Sequence, residues 1–196
     1  MAREKQLAQN TVIVGVELSD PAYDARCRST IRNLKLGLGQ TMDLSDLTIE
    51  VASRAEASAI LSSLQRCVDV TYLVSIGDPY DELPAGYDNI SRKLRLLVAD
   101  VVTDLGATEE DVVRIIRVAE ELRSESGKIL IHCEAGVSRS SAAALIMYAC
   151  WLDIGREREA MARVLAQRPI ALPNRRMVEL ADSLLNRGGR LLEVLG

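Results

Sequence analysis

Residues 128–141 read Lys-Ile-Leu-Ile-His-Cys-Glu-Ala-Gly-Val-Ser-Arg-Ser-Ser, and this stretch decides the fold. Lys128–His132 is a short apolar run that predicts a strand. From about Ser140 to Leu152 the chain is apolar on every side, which predicts a buried central helix. The residues between them form a strand-to-helix loop. Such a loop turns backbone N–H groups inward at the positive end of the helix and makes an anion cradle. Gly136 opens backbone conformations closed to other residues and allows close approach to a bound anion. Arg139 adds a planar fork of donors suited to phosphate oxygens. Cys133 falls at the floor of the cradle, where the same donors favour a thiolate. Cysteines so placed have pKa values of ~3.5–7.5 rather than ~8.5. Ser140, next to the arginine, is in position to donate to that sulfur, and His132 to order the loop through backbone carbonyls.

Outward from this stretch, strands and helices alternate. Thr48–Ala52, Val68–Ile76 and Lys93–Ala99 read as strands, the last ending at Asp100. Ser53-Arg-Ala-Glu56 is a capping box opening a helix with apolar positions Ala57, Ile60, Leu61 and Leu64. Gly77–Ser91, with its prolines, glycines and aspartates, reads as a loop. Thr108 caps an acidic-first helix whose buried face carries Val112, Ile115, Ile116, Ala119 and Leu122. Further helices are expected over Arg156–Gln167 and Asn174–Asn186, the second stopping at Gly188-Gly189. This order predicts an α/β fold, a central mostly parallel sheet flanked by helices. Residues 1–47 read as an N-terminal extension with a strand at Thr11–Leu18 and an irregular remainder; residues 48–196 read as the catalytic domain. The glycines at 37–41 lack a GK[ST] ending and read as a surface turn.

Bulk composition narrows the chemistry. The chain has 196 residues, 48% of them hydrophobic, and no Phe, so its core is built from Leu, Val, Ile and Ala. A net charge of -4 argues against a nucleic-acid binder. The four cysteines, Cys27, Cys67, Cys133 and Cys150, show no zinc-like spacing with the single His132. No metal, cofactor or membrane span is expected, and Cys67 and Cys150 read as inert core thiols rather than redox partners of Cys133. Reduced thiols imply a cytoplasmic address, and a monomer is the expected state. The Arg-rich run Arg156–Arg163 reads as a solvated helix face.

The pattern His132-Cys133-x5-Arg139-Ser140 resembles the signature of the cysteine-dependent protein-tyrosine phosphatase superfamily, in its small dual-specificity branch. The strand before Asp100, the helix before Cys133 and Pro173-Asn174 opening the last helix extend the resemblance over residues 48–196. The ending is similar to a bacterial subgroup. The resemblance implies a phosphatase-like fold and a two-step reaction through a cysteinyl-phosphate on Cys133. It implies that the backbone of Glu134, Ala135, Gly136, Val137 and Ser138 binds phosphate together with Arg139. It also implies an Asp acid about thirty residues before the cysteine. Asp100, 33 positions before Cys133, is preferred; Asp104, 29 before, is the alternative. Tyrosine-specific members carry Trp-Pro ahead of this acid, and Val98-Ala99 here favours the dual-specificity branch. Asn174 matches a position that helps order the phosphate loop or the attacking water, and it reads equally as a helix N-cap.

The implied substrate is a phosphorylated protein, with phosphotyrosine first and phosphoserine or phosphothreonine left open. A non-protein phosphate ester (lipid, nucleotide or RNA 5′-phosphate) or a catalytically weak phospho-binding module are the alternatives. A carboxylate and no base inside the loop, Glu134 to Ser138, disfavours a highly charged inositide.

Overall fold

The computed structural model describes residues 47–196. The expected strand at Thr11–Leu18, the turn at 37–41 and Cys27 lie outside the described residues. Four β-rich runs form strands: β1 (Leu47–Ser53), β2 (Val70–Gly77), β3 (Lys93–Leu97) and β4 (Gly127–Cys133). They pair in the order β1-β4-β2-β3, every pair parallel. Parallel neighbours need crossover connections; helices lie in those from β1 to β2 and from β3 to β4, and a loop with one 3-10 turn joins β2 to β3.

The helix after β1, α1 (Arg54–Leu61), begins at once because Ser53 caps it. Ser53 Oγ accepts from Glu56 N at 3.2 Å, and Glu56 accepts from Ser53 N at 2.7 Å. Its buried side chains Ala57, Ile60 and Leu61 pack with Ala52, Leu73 and Leu130 on one face of the sheet. Successive strand residues point to opposite faces, so Ile49, Val51, Ile129 and Ile131 face the other side. There lies α4 (Arg139–Trp151), all of whose residues are buried. Around α4 pack α3 (Glu109–Leu122), α5 (Glu157–Gln167) and α6 (Arg175–Leu184). The helices following the neighbouring strands β1 and β4 thus lie on opposite faces. The carboxyl ends of two such strands open the crevice where ligands bind in doubly wound sheets.

Some expectations need correction. Leu64 is not on the buried face of α1; it is exposed and opens a separate short helix, α2 (Leu64–Cys67), because the chain turns at Ser62-Ser63. Asp100 does not end β3 directly. The strand stops at Leu97, Val98 makes one more bond to Gly77 O at 2.9 Å, and the chain then leaves the sheet. The loop after β2 contains a 3-10 turn, Tyr87–Asn89. The last long helix ends at Leu184, before the glycines, and α7 (Arg190–Glu193) follows. Asp182 accepts from the backbone N–H groups of Gly189 and Leu191 and holds that final turn in place.

Candidate active site

The 133–139 loop is shaped from behind, by groups that take up its carbonyl oxygens. Buried backbone acceptors require partners, and here they come from distant segments. Arg54 N donates to Glu134 O at 3.1 Å. Arg168 donates from Nη2 to Ala135 O at 3.2 Å and from Nε to Gly136 O at 3.1 Å. Leu172 N donates to Val137 O at 2.9 Å, and Asn174 N to Ser138 O at 3.2 Å. With the carbonyls drawn outward, the N–H groups of the same peptides are left to face the cradle. Gly136 has φ +70°, as expected, but the close approach it permits is to β1. A Cβ at that position would stand 2.6 Å from the Ala52 carbonyl carbon and from Ser53 N.

Cys133 is buried at the end of β4, its Sγ 3.2 Å from Ser140 Oγ. Burial opposes the thiolate. Hydrogen bonds from the Ser140 side chain and from the backbone of Ser140, Gly136 and Val137 outweigh it, and the thiol pKa falls below its ordinary value. His132 is also buried. Its Nδ1 lies 3.4 Å from Cys133 O, and desolvation lowers its pKa to about 4, so the ring is neutral near pH 7. Cys150, fully buried in α4, is pushed the other way by burial, to about 12, while Cys67 and Cys150 are both free thiols. An inert Cys150 suits that environment.

Arg139 is buried at the first turn of α4. Its Nη1 donates to Val98 O at 2.7 Å and to Asp78 Oδ2 at 3.1 Å. Its Nε has no hydrogen-bond partner, with Asp100 Oδ2 at 3.6 Å. One edge of the guanidinium is thus anchored, and a buried donor remains for an oxyanion. Asp100 Oδ1 accepts from Ser138 Oγ at 2.6 Å and from Asn174 Nδ2 at 2.9 Å. Asn174 Oδ1 meanwhile accepts from Met177 N at 3.2 Å, so one amide both caps α6 and holds the carboxylate. Asp100 therefore adjoins Cys133's loop, whereas Asp104 stands on an exposed stretch of the same connection.

Three contributors escape a reading by motif. Asp78, just past β2, anchors the arginine. Arg168, near the end of α5, braces the loop and is itself fixed by Glu56 at 2.9 Å. Arg54 grips Glu134 through two bonds, at 2.7 and 3.1 Å. That last pair changes an inference from sequence: the Glu134 carboxylate is matched by a cation, so it no longer weighs against a highly charged phosphate ester. Only the position of Asp78, following an apolar strand in a parallel sheet, offered a signal in advance. The Arg-rich run is solvated as expected, with Arg156 and Arg163 both paired to Glu159. Among the described residues no cluster of His, Cys, Asp or Glu is suited to a metal ion, and no helix is long and apolar enough to cross a membrane.

No family model and no curated protein sequence matches the chain. Solved structures do. Human DUSP28 superposes with a TM-score of 0.54 at 20% identity, covering 70% of this chain and 91% of that one. Tk-PTP in its active form gives 0.51 at 25% identity, covering 73% and 93%. DUSP15 gives 0.51 at 22%, covering 68% and 83%. The fold is that of the dual-specificity branch of the cysteine-dependent protein-tyrosine phosphatases, as the motif resemblance implied.

Proposed function

We propose that this chain, with its dual-specificity phosphatase fold, hydrolyses phosphomonoesters through a cysteinyl-phosphate on Cys133. One observation carries the reading. A thiol with a lowered pKa shares its loop with an arginine that is anchored on one edge and keeps a buried, unpartnered Nε. Neither feature has an evident structural use without an oxyanion between them.

In the first step the Cys133 thiolate attacks phosphorus, and the bond to the leaving oxygen breaks. Loop N–H groups from Glu134 to Arg139 and the Arg139 fork take the charge of the equatorial oxygens. Asp100 passes its proton to the leaving oxygen. In the second step water attacks the phosphorus, Asp100 accepts the water's proton, and sulfur departs as thiolate. Ser140, 3.2 Å away, stabilises that thiolate by donating to it. His132 holds the Cys133 carbonyl, and Asn174 with Ser138 orients the acid. Asp104 remains the alternative acid.

Phosphorylated proteins are the substrate class we favour, with phosphotyrosine first. The free thiols of Cys67, Cys133 and Cys150 suit a reducing compartment such as the cytoplasm. The second reading, a non-protein phosphate ester, is supported by the Arg54–Glu134 pair, which removes the charge objection. PTPMT1, crystallised in complex with PI(5)P, superposes at 0.50 with 14% identity, covering 71% of this chain and 90% of that one. Hydrolysis of para-nitrophenyl phosphate, blocked by vanadate, insensitive to chelators and abolished by Cys133→Ser, is the expected result. Undiminished turnover by the serine variant would remove the assignment.

A further inference from the structure

Most of the exposed large apolar side chains among the described residues sit on three connections that touch the candidate site. They are residues 78–91, 98–108 and 168–174. Tyr80 is 98% exposed and lies two residues from Asp78, the anchor of Arg139. Val102 and Leu105, the latter 83% exposed, follow Asp100. Ile170 and Leu172, the latter 72% exposed, stand where Leu172 N bonds to Val137 O. Isolated exposed leucines need no explanation, but a group carried on the connections that meet one site suits a binding surface.

The same three connections carry a charge bias. Every charged side chain on them except Arg168 is a carboxylate. Arg168 is occupied by Glu56 and the loop carbonyls. Glu82 and Asp88 are among the most exposed of these carboxylates, each at the open end of an ion pair, with Arg54 at 3.5 Å and with Lys93 at 3.2 Å. The nearby cations are committed too: Arg54 to Glu134, and Arg175, which opens α6, to Glu179.

We infer that this rim receives a phosphorylated polypeptide segment bearing apolar and basic residues beside the phosphorylated one. The inference rests on the catalytic reading above and deepens it. Apolar side chains of the segment cover Tyr80, Leu105 and Leu172, and its lysines or arginines meet the rim carboxylates. An anionic bilayer surface fits the apolar part and is repelled by the charge.

The test compares phosphotyrosine peptides flanked by Leu and Lys with peptides flanked by Gly and Glu. Para-nitrophenyl phosphate and phosphatidylcholine vesicles carrying PI(5)P are run on the same preparation. The Leu/Lys peptides are expected to show kcat/KM about tenfold or more above the Gly/Glu peptides, the size of one buried leucine. That advantage, taken relative to the aryl phosphate rate, is expected to shrink in Leu105→Ser/Ile170→Ser and in Glu82→Gln. Equal rates on both peptide sets, or preference for the vesicles, overturns the inference while leaving the catalytic reading intact. If the aryl phosphate is not hydrolysed, the catalytic reading falls. Peptide binding to Cys133→Ser by fluorescence anisotropy then decides the rim alone: tighter binding of the Leu/Lys set supports it, and equal binding removes it.

Discussion

Arg168 Nε donates to the carbonyl oxygen of Gly136 at 3.1 Å, from 32 residues further along the chain. The same guanidinium reaches Ala135 O and is steadied by Glu56, whose pKa it and the Ser53 backbone lower to about 2. Arg168 touches no reacting atom in the proposed mechanism; it positions the peptides whose N–H groups do. Arg168→Ala is expected to lower kcat by roughly a hundredfold, as small displacements of reacting groups do. It is also expected to raise the pKa of Cys133, read from the pH dependence of iodoacetate alkylation. Arg168→Lys restores a cation but not the fork and recovers only part. An unchanged alkylation profile in Arg168→Ala would leave the residue a purely structural role.

Ser140 lies 3.2 Å from the sulfur and is among the groups that lower the thiol pKa against burial. Ser140→Ala is expected to shift the alkylation midpoint upward. It slows the second chemical step more than the first, because the departing thiolate loses a donor. Rapid-quench detection of accumulated cysteinyl-phosphate checks this. Absence of accumulation together with an unshifted midpoint would deny Ser140 both roles.

Asp100 and Asp104 separate by mutation. Asp100→Asn is expected to cost about a hundredfold or more in kcat on a phosphopeptide, within the usual range for a general acid. The loss is smaller on an aryl phosphate, whose leaving oxygen needs less protonation. Asp104→Asn is expected to stay within about twofold, as an exposed side chain outside the ion pairs of Arg139 should. Reversal of the two results would move the acid to Asp104.

Much of this architecture was legible because the signals were local. The Ser53–Glu56 box, the acidic start of α3 and the apolar α4 each express one chemical preference over a few neighbouring residues, and each element formed, though α1 stops at Leu61, short of Leu64. The loop itself was legible because His132, Cys133, Gly136, Arg139 and Ser140 are contiguous in function and sequence. What braces it was not. Arg54, Arg168 and Asp78 meet the loop only after β1, β2 and β4 come together, across separations no short pattern records. Glu134 shows the cost of reading a charge without its partner: in sequence it made the loop acidic, and in the fold it is half of an ion pair.

Burial of His132 predicts acid sensitivity. Its pKa is lowered to about 4 from 6.5 by desolvation. Between those values the unfolded chain binds a proton that the folded chain does not. Stability attributable to this residue is therefore full above pH 6.5 and declines as pH falls towards 4, by about 3 kcal/mol. Urea titrations at a series of pH values should show that slope in the native sequence and a flatter one in His132→Asn. Parallel slopes would mean that His132 charges as readily in the folded state.

The bracing of the loop from Arg54, Arg168, Leu172 and Asn174 has a kinetic consequence. Helices such as α3 form from neighbours, but the loop takes shape only once its carbonyls meet distant partners, among them Arg54 N on Glu134 O and Arg168 Nε on Gly136 O. Contacts of that span close late and slowly. After dilution from denaturant, far-ultraviolet ellipticity should return before thiol reactivity does. A chain arrested between the two events would have its helices and an ordinary, sluggish cysteine.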